Sequence, residues 1–387
     1  MDMPANRRIK PVTYGLMIYL MLSSLDAWNI YGSGSFLKIL AFLPLTLMLL
    51  ELRDLRLIPH RLLALQLCFW FLVMFSVFYS VSVERTFSVA KTLTLNLILV
   101  FSFGALVPYN QRELELLQKA LLWGCWIHIC LTLLFADFSV AGRLTLGFGG
   151  STQDQNNNNT YILYAFSYHS HMVLHRRERR HILPLLVILA VGLLSGSRGA
   201  ILAYLATLLF HILIFLRSNK HVLRKFGVIL LLLLIVSVAF RLIIEKMPES
   251  IAVRYSWAYL KDKGTTGRTR IWAYLWNVFL ESEIFRMLFG HGYGTTILVN
   301  QFNHHVAHNL YLDNLITLGI AGVTLQIASQ GTVLWIFRKR KKVILMGAYL
   351  GMIVMCMSLS LTASKPMWNM MMVAMALDCC EGNRESE

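Results

Sequence analysis

Residues 181–220 read HILPLLVILAVGLLSGSRGAILAYLATLLFHILIFLRSNK. Two apolar runs, 182–196 and 199–216, meet at Ser195-Gly196-Ser197-Arg198-Gly199-Ala200. Basic residues close both outer ends, with Arg176, Arg177, Arg179 and Arg180 before the pair and Arg217, Lys220, Arg224 and Lys225 after it. Apolar runs of this kind cross a hydrocarbon core, and Lys and Arg gather on its cytoplasmic side. The stretch therefore reads as two membrane helices joined by a short turn on the outer face.

The rest of the chain repeats this pattern. Its 387 residues are 57% hydrophobic and 14% charged, with mean hydropathy +0.59. A soluble domain of that length needs more charge to solvate its surface. About twelve spans are expected, roughly 12–31, 36–50, 62–80, 87–107, 115–136, 159–174, 182–196, 199–216, 226–244, 309–337, 343–361 and 366–378. The tenth is long enough to include an interfacial segment or a tilt. The basic start Arg7, Arg8 and Lys10 leads into a first span rather than a cleaved leader. The expected class is an all-α polytopic membrane protein with one large outer loop. Its parts are 1–244 (the first nine helices), 245–308 (the loop), and 309–387 (the last three helices and a tail).

Net charge is +16, from 36 Lys plus Arg against 20 Asp plus Glu. The positive charge sits in short clusters between apolar runs, so membrane lipids, not nucleic acid, are the expected counter-charge. One set of alternate loops holds Arg7, Arg8, Lys10, Arg53, Arg56, Arg61, Arg112, the clusters around 176–180 and 217–225, Arg338 to Lys342, and Arg384. The short loops of the other set hold Arg85, Arg143, Arg198 and Lys365. Both termini are thus expected in the cytoplasm. Segment 245–308, loop 137–158 and the turn at Arg198 then face outward, where chemistry needs a donor already activated and membrane-bound. The six cysteines lie in spans or near the C-terminal end and read as small apolar fillers.

Four constellations can carry chemistry. Arg198 in the Ser-Gly turn can present a planar fork of donors to phosphate, or snorkel to headgroups. Gly264-Thr265-Thr266-Gly267-Arg268-Thr269-Arg270-Ile271-Trp272 reads as a turn entering a helix, whose free N–H groups and two arginines suit a polyanion; a solvated loop is the bland alternative. Gly290-His291-Gly292-Tyr293-Gly294 is followed by His304, His305 and His308-Asn309. Histidine serves acid–base chemistry or binds metal. Cysteine is absent here, carboxylates are few (Glu281, Glu283 and Asp313), and no Glu follows His304 as zincins require. No metal or other cofactor is expected. The fourth is Arg143, with Gly147-Phe148-Gly149-Gly150 and the polar stretch 151–160, whose asparagines Asn156, Asn157, Asn158 and Asn159 read as a flexible loop. His169 and His171 read as interfacial polar residues. Nucleotide-binding and G-x-S-x-G patterns do not occur in a fitting context.

Arg198 in SGSRGA, Arg268 in GRTRIW and His308 in HNLYLDNLITLGIAG follow one order on one membrane face. This resembles the O-antigen ligase and polymerase superfamily over roughly residues 140–340, and more closely its ligases. The resemblance implies a twelve-helix, GT-C-like lipid-dependent glycosyltransferase of the bacterial inner membrane, active on the periplasmic face, inverting and metal-independent. It implies transfer roles for Arg198, Arg268 and His308, with Arg143, Arg270 and Asn309 as substrate-binding neighbours. The implied donor is a glycan on undecaprenyl diphosphate and the acceptor a lipid A-core sugar. A repeat-unit polymerase shares that donor chemistry, but the R-x10-G repeat of some polymerases is missing, since Phe279 stands eleven residues after Arg268. A flippase would place its sites near the midplane, often in repeats.

Overall fold

The computed structural model describes residues 8–27, 36–58, 60–139, 142–148, 151–152, 154–217, 222–256, 258–259, 267–300, 305–361 and 364–382. Its helices, in chain order, are α1 Pro11–Met21, α2 Phe36–Leu40, α3 Phe42–Leu49, α4 Arg61–Ser76, α5 Val83–Val100, α6 Gln111–Leu134, α7 Gln155–His171, α8 Ile182–Leu194 and α9 Arg198–Leu216. They continue with α10 Val222–Lys246, α11 Glu249–Ala252, α12 Arg268–Leu280, α13 Ile284–Phe289, α14 Thr296–Val299, α15 Leu310–Lys339, α16 Val343–Cys356 and α17 Lys365–Gly382. Among the described residues five helical stretches are long and apolar enough to cross a membrane: Arg61–Tyr79, Val83–Leu106, Gln111–Leu134, Arg198–Leu216 and Leu310–Lys339. Pro11–Met21, Phe36–Leu49 and Val343–Cys356 are shorter apolar helices. Of the other expected spans, 226–244 falls within the 25-residue α10, whereas 159–174, 182–196 and 366–378 coincide with helices that are shorter or more polar.

Helix α7 shows why. It is buried on nearly every side and packs against α6, α9 and α16, yet it opens on a run of asparagines. The reading of that run as a flexible loop is corrected: Asp154 accepts from the Asn156 and Asn157 N–H groups and starts a helix there. The buried amides that follow are partnered. Asn159 donates to Ser195 Oγ (2.9 Å) and accepts from Tyr204 Oη (2.8 Å), and Asn158 donates to Thr145 Oγ1 (3.4 Å). Satisfied amides can be buried where bare ones could not.

The expected all-helical class has one small exception in loop 137–158. Strands Ala136–Asp137, Thr145–Phe148 and Ser151–Thr152 form an antiparallel sheet, with Ala136 paired to Leu146 and Gly147 to Thr152.

Helix α15 is two helices joined at Gly319, whose φ of 65° and ψ of −163° break it. A Cβ on Gly319 would lie 2.3 Å from the Leu288 carbonyl carbon, and one on Gly290 would lie 2.2 Å from that of Thr317. The two backbones press together, and His291 N–H and Gly292 N–H donate to the Ile316 and Thr317 carbonyls (2.9 and 3.0 Å). The glycines at 290 and 292 thus serve a backbone junction. It holds segment 284–300 against the break.

A candidate anion-binding site beside the α8–α9 turn

The turn between α8 and α9 gathers arginines through helix ends. Helix α8 terminates at Ser195 and Gly196 (φ +61°), and Ser197 Oγ accepts from the Ala200 N–H to start α9 at Arg198. The last carbonyls of α8 have no partner within the helix and carry its negative dipole end. Arg143 Nε donates to the Ser195 carbonyl (2.7 Å) and Arg254 Nε to that of Gly196 (3.2 Å). Arg143 Nη2 also reaches Asn156 Oδ1 (3.1 Å). Just past α16, the Ser358 carbonyl accepts from Arg268 Nη1 (3.0 Å). Gly199 makes the approach of these two helix ends possible, because a Cβ there would lie 2.2 Å from Ser358 Oγ.

Arg198, Arg254 and Arg268 line one cavity of about 650 Å³ with Asn156, Tyr255 and Trp272. Ile201, Leu202, Phe240, Val354 and Met357 line it as well. Leu202, Phe240 and Met357 are also exposed on the surface. The cavity thus combines cationic and apolar lining.

The charges oppose one another. Burial, then Arg254, pushes the Arg143 guanidinium down to about 10, with Asp154 pulling the other way. Burial also lowers Arg268, with Arg198 and Arg254 adding to the effect and Asp154 against it. All stay charged at neutral pH. A cluster of cations with Asp154 as the carboxylate that these shifts identify is completed by an anion.

His308 stands at φ +48°, immediately before Asn309. Burial first, then the Arg268 charge and His305, hold its imidazole below the usual histidine range, with Asp154 opposing. It is therefore neutral at pH 7. His308 does not line the cavity, but the wall residue Trp272 donates to the carbonyl of Ala307, next to it (2.8 Å). Trp272 also lines a second cavity of about 470 Å³ with Asn309 and Tyr311. Asn309 Oδ1 accepts from the Tyr311 and Leu312 N–H groups (3.0 and 3.2 Å) and caps α15.

The structure thus brings Arg143, Arg198 and Arg268 to one place, with His308 in electrostatic reach. Arg270 is exposed on α12 and is not among the residues of the arginine-lined cavity. Gly264, Thr265, Thr266 and His304 lie outside the described residues. His291 is engaged by Ser282 Oγ (3.2 Å) and Asp313 by Thr296 Oγ1. Among the described residues the histidines that converge are others, His171, His175 and His211. Sequence reasoning missed Arg254 and Asp154. The N-cap pattern before Gln155 could have found Asp154; no local motif marks Arg254.

Residues 183–327 match the family model described as O-antigen ligase. Over those residues the chain is similar to that family. The match spans Arg198, Arg254, Arg268 and His308, and Arg143 and Asn156 precede it. Members of that family are glycosyltransferase-like enzymes of O-antigen and lipopolysaccharide processing, which act on lipid-linked glycans. Among curated proteins none matches the chain.

Proposed function

We propose that the protein is an O-antigen ligase of the inner membrane, transferring a glycan from undecaprenyl diphosphate to a lipid A-core sugar hydroxyl on the periplasmic face. One observation carries this reading: a single cavity lined in part by Arg198, Arg254 and Arg268 and in part by Leu202, Phe240 and Met357. A diphosphate fits the first part and an isoprenoid chain the second. Arg198, Arg254 and Arg268 hold the diphosphate and stabilise the charge that grows on its departing oxygen. Arg143 and Asn156 fix the wall behind them. The acceptor hydroxyl oxygen attacks the anomeric carbon from the opposite face, and the bond to the diphosphate oxygen breaks with inversion. His308, neutral at pH 7, takes the hydroxyl proton.

The test is transfer by purified protein from lipid-linked glycan to lipid A-core. Product on lipid A-core is expected. Product only on a second lipid-linked repeat would make the protein a polymerase instead.

Arginines stabilise the leaving group here, so the initial transfer rate should be unchanged in excess EDTA. A rate lost in EDTA and restored by manganese or zinc would overturn the arginine-based mechanism. The charge asymmetry of the loops places 245–308 outside. Ser250 is exposed, so Ser250→Cys, in a Cys68→Ser, Cys130→Ser background, should react with an impermeant maleimide in cells whose outer membrane alone has been opened. Reaction only after the inner membrane is breached would overturn the topology.

A further inference from the structure

At the opposite end of α7 and α9 from the arginine cavity, three histidines converge. One ring nitrogen from each of His171, His175 and His211 lies within 4.8 Å of the other two. His171 ends α7. His175 sits in the π-helical turn Met172–Arg176 that continues it, and the two rings stack at 4.5 Å. Such wider turns occur often at functional sites. His211 comes from the neighbouring α9 and is fully buried.

Hydrogen bonding assigns the protons. Ser167 Oγ lies 2.7 Å from the Ile344 carbonyl, which can only accept, so the hydroxyl proton is used there. Ser167 Oγ must then accept from His211 Nε2–H at 2.8 Å. The His211 lone pair falls on Nδ1, which is buried and has no partner among the described residues. His175 Nε2 lies 3.2 Å from the His211 carbonyl, so it donates, which puts the lone pair of the neutral ring on Nδ1. The His171 Nδ1 is buried and unpartnered among the described residues as well. Neutral imidazoles whose far nitrogen is fixed by a hydroxyl or a carbonyl have the arrangement of metal ligands and their supporting partners. The buried Nδ1 atoms of His171 and His211, unpartnered among the described residues, gain a partner when a cation joins them. The packing keeps this arrangement in place: a Cβ on Gly347 would lie 2.8 Å from both His211 Nε2 and Ser167 Oγ, so only glycine lets α16 close over the pair.

We propose that His171, His175 and His211 bind a divalent transition-metal ion, zinc above all, which ties the π-helical end of α7 to α9. Three imidazoles suit zinc, copper or nickel in preference to magnesium or calcium. Bonds of about 2.0–2.1 Å in a tetrahedron separate ligands by about 3.3 Å, so small side-chain rotations bring the three together and leave the fourth position to water. The site is distant from the transfer chemistry and acts on the stability of the bundle.

The experiment uses the full chain in detergent, without a histidine tag, with Cys68 and Cys130 replaced by serine, and stripped with EDTA. Titration with Zn²⁺, and with Co²⁺ as a spectroscopic probe, should give one equivalent per chain, the visible bands of tetrahedral cobalt, and a higher midpoint of thermal unfolding. His171→Gln and His175→Gln, both on half-buried side chains, should lower Zn²⁺ affinity by more than about 100-fold, and Ser167→Ala by about 10–100-fold, because the His211 tautomer is no longer fixed. Folding of each variant is checked by circular dichroism and gel filtration. Less than one equivalent bound by the parent, or equal affinity in the folded His171→Gln and His175→Gln variants, overturns the site. The initial transfer rate of those variants should match the parent, which keeps this result separate from the ligase reading.

Discussion

Arg198→Ala and Arg268→Ala should each cut transfer by about 10²–10³-fold and weaken donor binding at the same time. Both side chains line the cavity, so in the proposed reaction both meet the diphosphate before transfer as well as during it. Arg254→Ala belongs with them on the same geometry. The controls follow from what else each side chain does. Arg254 and Arg268 satisfy helix-end carbonyls at Gly196 and Ser358, and removing one such bond costs about 1 kcal/mol of stability. Arg198 is held near the Tyr259 ring (5.9 Å), a weak contact at that separation. The Arg198 variant should lose as much activity as the Arg268 variant. Lysine at either position should recover only part of the rate, since a point charge cannot reproduce the bidentate fork. Measured donor affinity and single-turnover rate decide the matter. Normal donor binding in both alanine variants would remove the diphosphate from this cavity.

The second large effect separates the proton acceptor from the anion site. His308→Ala should leave donor affinity nearly intact and lower the single-turnover rate by about 10²–10⁴-fold. Burial and the Arg268 charge depress the His308 imidazole, so the base is present at pH 7 and lost as pH falls through its lowered pKa. The acidic limb of the rate profile is thus expected below pH 6.5. Removing the positive charge in Arg268→Ala should move that limb toward higher pH, because one of the groups opposing protonation is gone. A limb that stays in place in Arg268→Ala, or a donor affinity lost in His308→Ala, would show that the two residues do not act as assigned.

The membrane character of the chain was legible in its composition and in the run 181–220, because burying backbone in lipid demands long apolar helices. Helix α7 was less legible. Its asparagines resemble a loop until their partners Ser195, Thr145 and Tyr204 are known, and those lie far away in sequence. Arg198 and Arg268 stood out because each follows a small residue, Ser197 and Gly267, at an expected helix start. Arg254 did not, since its place depends on a carbonyl at Gly196, 58 residues earlier in the chain. The Gly290–Gly294 motif suggested chemistry through its histidine, whereas two of its glycines answer to the backbone of Thr317 and the side chain of Ser80. The histidines at 171, 175 and 211 were passed over for a related reason. A π-helical turn and a second helix bring them together, and neither shows in residue spacing.

Leu202, Phe240 and Met357 line the cavity and are also exposed on the protein surface, so in the proposed ligase they would meet lipid. A donor anchored by its isoprenoid tail can slide in from the leaflet without withdrawing that tail into water. Encounter then takes place in two dimensions, and the quantity that governs occupancy is the number of carrier molecules per unit of membrane area, not a concentration in the surrounding fluid. Tethering of this kind sets an effective concentration far above the bulk value, so the arginines need to discriminate among headgroups more than they need to capture them. The spent carrier can leave by the same lateral gap, still embedded, while the glycan departs on the other side.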